Sequence, residues 1–172
     1  MCAFILAAFC RDFKQGQIAC SAGGVMEICL KILRDRGEHA GPLLKHWTAL
    51  LISQLWNDFG DGKLEGVHLG APLRLVELLK DPTPEVRVAA LVALTTFIGK
   101  PSDDEDMAQI EMVVAVHALG LSGDGSSVVR KELAIFLNKV VVRCISMAFL
   151  AKGEVRSEIC RRCNGISPRG TV

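Results

Sequence analysis

The stretch LRLVELLKDPTPEVRVAALVALTTFIG, residues 73–99, decides the fold. Its first eight residues predict an apolar helix, and the turn Asp81-Pro82-Thr83-Pro84 follows. Thr83 suits the N-cap of a second helix, and the proline after it suits the first helical position, which needs no N–H donor. Residues 85–98 then place apolar side chains at helical spacing until Gly99 ends the helix. The stretch therefore predicts two antiparallel helices joined by a tight turn.

The same pattern occurs twice more along the chain. A shift of 43 residues carries Asp81 onto Asp124 and Arg87 onto Arg130, and a shift of 42 in the other direction carries Arg87 onto Lys45. The second helices of the three copies are predicted to begin near residues 42, 84 and 127. Two helices repeating every ~42 residues fall in the range of HEAT and armadillo repeats.

The predicted fold class is all-α, an α-solenoid of HEAT/armadillo-type helix pairs. Each pair is apolar on both sides, so it can bury that surface only by stacking on its neighbours. We predict about three and a half repeats in residues 1–151, with residues 1–13 as the second helix of a still earlier repeat, and a disordered tail in residues 152–172. Three connecting loops are expected: Arg11 to Ser21, Asn57 to Gly70 and Lys100 to Met107.

Charged residues recur in register with these repeats: Asp81, Arg87, Asp124, Arg130 and Lys45. An Asp in each turn and a basic residue early in each second helix predict a structural ladder between repeats, made of charge-assisted hydrogen bonds. The functional alternative is a basic ridge that binds a partner or nucleic acid.

Composition limits the classes of partner. The 172 residues carry 20 Lys and Arg against 19 Asp and Glu, a net charge of +1, so no polybasic tail for nucleic acid is present. Apolar runs stay short of 18 residues, so direct membrane insertion is not expected. Seven Cys, an odd number, favour free thiols in a reducing compartment.

Motifs that carry chemistry are weak. Cys160 and Cys163 form a C-x-x-C without further ligands at metal-site spacing. The segment Gly120–Gly125 lacks the Lys and Ser/Thr of a phosphate loop and aligns with the turn between helices. The four His, among them His46, suggest no catalytic arrangement. We therefore predict a non-enzyme with no catalytic, metal or cofactor site, while Ser102, followed by four acidic residues, is a candidate phosphorylation site.

Beyond these patterns the chain resembles one family, raptor, the regulatory-associated proteins of TOR, over about residues 1–142. The tryptophans and the turn sequences match its HEAT-repeat region together and in order. The matching segments are MCAFILA (1–7), GQIAC (16–20), PLLKHW (42–47), LWNDF (55–59), LLKDPTPEVR (78–87), ALTTFIG (93–99) and VVRKEL (128–133).

The resemblance implies a non-catalytic scaffold or adaptor subunit of TOR complex 1 in nutrient-responsive growth signalling. The partners it implies are TOR kinase, other TOR complex 1 proteins, substrates and small GTPases, in the cytoplasm with recruitment to the vacuole or lysosome surface. Trp56, Asn57, Asp58 and Phe59, near a repeat end, are the candidate partner surface, although Trp56 and Phe59 could equally be core residues. The alternative function is a generic HEAT-repeat transport adaptor of the importin or coatomer kind.

The chain departs from the family pattern in several ways. Raptor proteins also carry a caspase-like domain and a WD40 propeller, which are not found in these 172 residues. Arg36 to Ala40 are extra residues between two helices, and Arg143 to Val172 do not continue the expected repeat. These departures lead to the hypothesis that the sequence is a fragment or a truncated gene model.

Overall fold

The computed structural model describes residues 2–35, 40–99 and 105–164. Within these ranges the chain is helical, without strands, which confirms the predicted all-α class. The helices are α1 (Cys2–Cys10), α2 (Lys14–Ala22), α3 (Val25–Arg34), α4 (Pro42–Trp56), α5 (Gly60–His68), α6 (Ala71–Leu78), α7 (Pro84–Phe97), α8 (Glu105–Leu119) and α9 (Ser127–Asn164). A short 3-10 helix, Gly120–Gly123, separates α8 from α9.

Two layers of helices form the solenoid. Helices α1, α4, α7 and α9 pack on one another in that order, and α3, α6 and α8 pack in succession beside them. The predicted starts of the second helices at 42, 84 and 127 are confirmed by Pro42, Pro84 and Ser127. Helices α4 and α7 begin with proline, which favours these two starts because its missing N–H would have no partner inside the helix.

The core runs along the first layer. Its largest fully buried side chains include Trp56, Phe97 and Phe136, which come from α4, α7 and α9 respectively. The rings of Trp56 and Phe97 lie 5.2 Å apart, centroid to centroid. Burial of such aromatic side chains dominates core energetics, so successive repeats share one continuous apolar interior.

Two of the predicted loops are wrong. Residues 11–21 contain most of α2, and residues 57–70 contain α5. Both are short helices rich in small and polar residues, so they lack the apolar stripe by which helices are recognised in a sequence. The complete repeats, α2–α3–α4 and α5–α6–α7, therefore have three helices each, the armadillo arrangement, rather than a simple pair.

The remaining boundaries also differ from expectation. Helix α8 begins at Glu105, inside the predicted loop 100–107, whose residues 100–104 lie outside the described ranges. Helix α9 continues through Asn164, so the backbone of residues 152–164 is helical where a disordered tail is predicted. Residues such as Glu154 and Arg156 have good helix propensity, and a helix can continue on propensity without an apolar face. Residues 165–172 lie outside the described part.

Among the described helices, none alone has the length and apolar character of a membrane span. The pair α2 and α3 meets that test only when the two are joined across their 69° bend.

Candidate functional site

The turns that connect the two layers are built by aspartate side chains. Asp81 Oδ1 accepts the Thr83 N–H at 2.9 Å, and Asp124 Oδ1 accepts the Ser126 N–H at 2.8 Å. Each Asp thereby closes a turn two residues ahead and satisfies a backbone donor at the start of the next helix. Thr83 is the N-cap of α7, as predicted, but its own side chain makes no capping hydrogen bond because Asp81 serves this end of the helix.

Basic side chains join one turn to the next repeat. Lys45 Nζ on α4 lies 3.3 Å from Asp81 Oδ2, and Arg87 on α7 binds Asp124 with Nε and Nη2, each at 2.8 Å. Arg87 Nη1 also donates to the carbonyl oxygen of Asp81 at 2.8 Å. We call this series, with Arg130, the aspartate ladder. It links α4 to α7 and α7 to α9 at the turn edge of the solenoid.

The Arg87–Asp124 pair is the strongest rung of the aspartate ladder. A bidentate guanidinium–carboxylate pair fixes both distance and orientation. Its side chains are only 14% and 7% exposed, so solvent screens this pair less than a surface pair. The hydrogen bonds from Arg87, and then the one from the Ser126 backbone, hold the pKa of Asp124 below its ordinary value. Arg130 is exposed and donates to the carbonyl oxygen of Asp124, so it secures its own turn.

The candidate partner surface at residues 56–59 is largely internal. Trp56 is fully buried, and its Nε1 donates to the Gly62 carbonyl oxygen at 3.0 Å. Phe59 is 6% exposed and lies beneath the ammonium of Lys14. These two belong to the core because the α4–α5 junction folds back over them. Only Asn57, partly exposed, and Asp58, exposed, remain available to a partner.

A second set of contacts joins the short helices α2 and α5 to their neighbours. Gln17 Nε2 donates to two carbonyl oxygens at the end of α4, those of Gln54 at 2.7 Å and Asn57 at 2.8 Å. Ser21 Oγ donates to the Glu65 carboxylate. These residues were missed because α2 and α5 were predicted to be loops.

A signal for them exists in the sequence. Asp12-Phe13 and Asp58-Phe59, each followed by Gly after two further residues, repeat at a spacing of 46. Both aspartates adopt a left-handed backbone, with φ of 53° and 49°, and both phenylalanines are N-caps of short helices with nearly identical backbone angles. This D-F-x-x-G pattern therefore indicates the start of the first helix of each three-helix repeat.

The remaining candidate residues from the sequence belong neither to the aspartate ladder nor to the candidate partner surface. His46 Nδ1 donates to the Glu85 carbonyl oxygen at 3.0 Å, so it acts as another contact between α4 and α7. Ser102 and the side chains of Cys160 and Cys163 lie outside what the structure describes. Across the residues it does describe, groups of three or more His, Cys, Asp or Glu that could hold a metal ion are not found.

The stacked three-helix repeats and the aspartate ladder define the class of protein: an α-solenoid of armadillo-type repeats. Comparison with known proteins narrows the class. Target of rapamycin complex 1 subunit mip1 of Schizosaccharomyces pombe is 43% identical over 142 residues, which cover 83% of this chain and 10% of that protein. Regulatory-associated protein of TOR 2 of Oryza sativa subsp. japonica is 36% identical over 152 residues, covering 81% of this chain and 11% of that protein.

A solved structure agrees. The crystal structure of Chaetomium thermophilum Raptor matches with a TM-score of 0.80 and 39% sequence identity, covering 91% of this chain and 14% of that chain. No family model matches the chain. Over this helical segment the chain belongs to the raptor family, as the resemblance predicts. The chain spans about a tenth of the length of the curated relatives it matches.

Proposed function

We propose that this chain is a non-catalytic scaffold segment of TOR complex 1, which binds TOR kinase and helps to present substrates in nutrient-responsive growth signalling. The observation that carries the proposal is the match to Raptor along 91% of the chain at 39% identity. The S. pombe relative is itself named as a TOR complex 1 subunit. Both similarities favour this function over an importin-like or coatomer-like transport adaptor.

The geometry supports a mechanical role. A scaffold must hold its partners at a fixed separation, and a solenoid does so when each repeat is clamped to the next. Here the repeats share a buried core and are clamped at the turn edge by Arg87 and Asp124. On α4, Lys45 near the start of the helix pairs with Asp81, and Gln17 binds the carbonyl oxygen of Gln54 near its end. Fixing both ends of α4 restricts rotation of one repeat against the next.

In this proposal the partners are TOR kinase, other TOR complex 1 proteins, substrates and small GTPases. The protein acts in the cytoplasm, with recruitment to the vacuole or lysosome surface. Asn57 and Asp58 are the part of the predicted partner surface that solvent reaches. They lie on the corner between α4 and α5, where the left-handed conformation of Asp58 directs the chain away from the end of α4.

The test is capture of TOR kinase by the affinity-tagged full chain from cells that contain TOR complex 1. We expect TOR kinase in the captured material. Asp58→Asn, which removes the charge but tolerates the left-handed backbone, should reduce capture if this corner contacts the kinase. Asp61→Asn is the matched control, because Asp61 is also an exposed carboxylate three residues away on α5.

If both variants still capture TOR kinase, the scaffold role stands and the contact with the kinase lies away from Asp58. Recovery of cargo or nuclear-pore proteins without TOR kinase would overturn the scaffold role in favour of the transport adaptor.

A further inference from the structure

Two buried thiols face each other at the junction between α1 and α2. Cys10, the last residue of α1, and Cys20, on α2, have their sulfur atoms 3.4 Å apart. Their side chains are 0% and 6% exposed, and both are free cysteines. A thiol is a weak hydrogen-bond donor and acceptor, so this contact contributes little to stability by itself. The two sulfur atoms are nevertheless in direct contact.

Closing the pair into a disulfide needs only local movement. The two sulfur atoms must approach from 3.4 Å to about 2.05 Å, which is the length of a disulfide bond. The bond would close a short loop that contains the turn at Asp12. It would tie the first helix of the described chain to the first complete repeat.

Burial protects Cys10 while the junction is closed. Burial, followed by the hydrogen bond with Cys20, raises the pKa of Cys10 to about 12. Burial likewise raises the pKa of the neighbouring Cys29 to about 12. Because the thiolate is the reactive form, Cys10 is unreactive until the junction opens.

Helix α1 forms one wall of this junction. It packs on α4, where the rings of Phe4 and Trp47 lie 4.7 Å apart, and on α2. A local separation of α1 from α2 exposes Cys10 without unfolding the rest of the chain. The pair is thus protected at rest, and a peroxide reaches Cys10 when the junction fluctuates open.

We propose that Cys10 and Cys20 are an oxidisable pair, which a hydroperoxide converts into a disulfide that fastens α1 to α2. One thiolate attacks the peroxide, the O–O bond breaks, an alcohol or water leaves with a proton, and a sulfenic acid remains. The second thiol attacks that sulfur, forms the S–S bond and releases water. Two electrons pass from the two sulfur atoms to the peroxide. This pair is independent of the proposed scaffold function, because it requires only the α1–α2 junction.

The experiment treats the full chain with hydrogen peroxide under native conditions, blocks remaining thiols by alkylation and maps peptides by mass spectrometry without reduction. We expect one species in which the Cys10 and Cys20 peptides are joined with loss of two hydrogens, reversible by dithiothreitol. The oxidised chain should unfold at a higher denaturant concentration than the reduced chain, because the bond constrains the unfolded state.

Matched variants make the result specific. Cys10→Ser and Cys20→Ala should each abolish this species, whereas Cys144→Ser, which changes an exposed cysteine, should leave it unchanged. Circular dichroism shows whether each variant keeps its helices, and either of the two is sufficient if the other does not fold. A disulfide confined to Cys160 and Cys163, or Cys10–Cys20 linkage seen only in denaturant, would overturn the proposal.

Discussion

The α1–α2 and α4–α5 junctions share the same backbone turn, but different side chains fill their cores. Both turn at an Asp with left-handed φ, Asp12 and Asp58, spaced by 46 residues. In the second junction the core position is the large Trp56, which faces Gly66, a residue without a side chain. In the first junction the equivalent positions are the two small residues Cys10 and Cys20.

This difference shows that the two facing positions together fill one core volume, so a large side chain at one position requires a small residue at the other. A Cβ atom placed on Gly66 would lie 2.6 Å from Trp56 Nε1, which is closer than side chains pack. Two cysteines fill the corresponding space with sulfur atoms in contact. The turn therefore determines the path of the chain, and the core residues adjust to each other. One consequence is chemical: only the junction filled by thiols can be oxidised at its core.

The largest expected effect comes from emptying the second junction. Trp56→Ala should destabilise the chain by about 3–5 kcal/mol, because it leaves a cavity and removes the donor to the Gly62 carbonyl oxygen. Denaturant unfolding followed by circular dichroism measures the loss. Tryptophan fluorescence is unsuitable here because the variant removes one of the two Trp residues.

Cys10→Ala is the matched change in the first junction. It removes one sulfur atom from an equally buried site, so a cost of about 1 kcal/mol is expected. Equal losses for Trp56→Ala and Cys10→Ala would contradict the view that the two junctions divide the same volume differently.

The next effect concerns the aspartate ladder, which these junctions do not include. Asp124→Asn should cost about 1.5–3 kcal/mol, since it breaks a bidentate charge-assisted pair with a partly buried Arg87. Arg74→Ala is the control. Arg74 pairs with Glu77, one turn along the same helix and at the surface, and such pairs contribute little. A double-mutant cycle of Arg87→Ala with Asp124→Asn isolates the energy of the pair.

The pair also predicts a pH dependence. The pKa of Asp124 is lower in the folded chain than its ordinary value of 3.8. As the pH falls, the unfolded chain therefore protonates Asp124 at a higher pH than the folded chain does. The stabilisation by the Arg87–Asp124 pair is fully present above about pH 4 and is lost as the pH falls through the folded-state pKa. Wild type should lose more stability than Asp124→Asn over this acidic range. Parallel losses would assign the acid sensitivity to other carboxylates.

The sequence predicted the elements that carry local signals and missed those that depend on packing. The starts of α4, α7 and α9 follow from prolines and turn residues, and the ladder follows from their register. Helices α2 and α5 could not be predicted from apolar periodicity, because Gly16, Gly62 and Gly66 lie where their neighbours approach closely. These glycines lower helix propensity, yet the packing needs them, so tertiary structure overrides the local preference.

The candidate surface at Trp56 and Phe59 shows a related difficulty. A pair of aromatic residues at the end of a predicted helix is compatible with both a partner surface and a core. Their burial depends on α5. Because the sequence pattern predicts a loop in place of this helix, it does not determine whether the two aromatic residues are buried. Recognition of the repeated D-F-x-x-G pattern would have placed Phe59, like Phe13, at the start of a helix.

The smallest expected effect concerns one of the contacts by which the first junction reaches the second. Lys14 Nζ lies 3.8 Å from the centroid of the Phe59 ring and donates to the Asp58 carbonyl oxygen at 3.3 Å. The equivalent position in the second junction is Gly60, which has no side chain to extend towards a third junction.

Lys14→Met keeps most of the apolar side chain but removes the ammonium group, and should cost about 0.5–1 kcal/mol. Lys31→Met, at an exposed lysine on α3, should change stability by less. The ring contact predicts that the difference between these two variants persists in high salt, because an ammonium held against an aromatic face is less screened than an exposed ion pair. A difference that vanishes with added salt would assign the effect of Lys14 to long-range charge, and the ring contact would then contribute nothing to joining the two junctions.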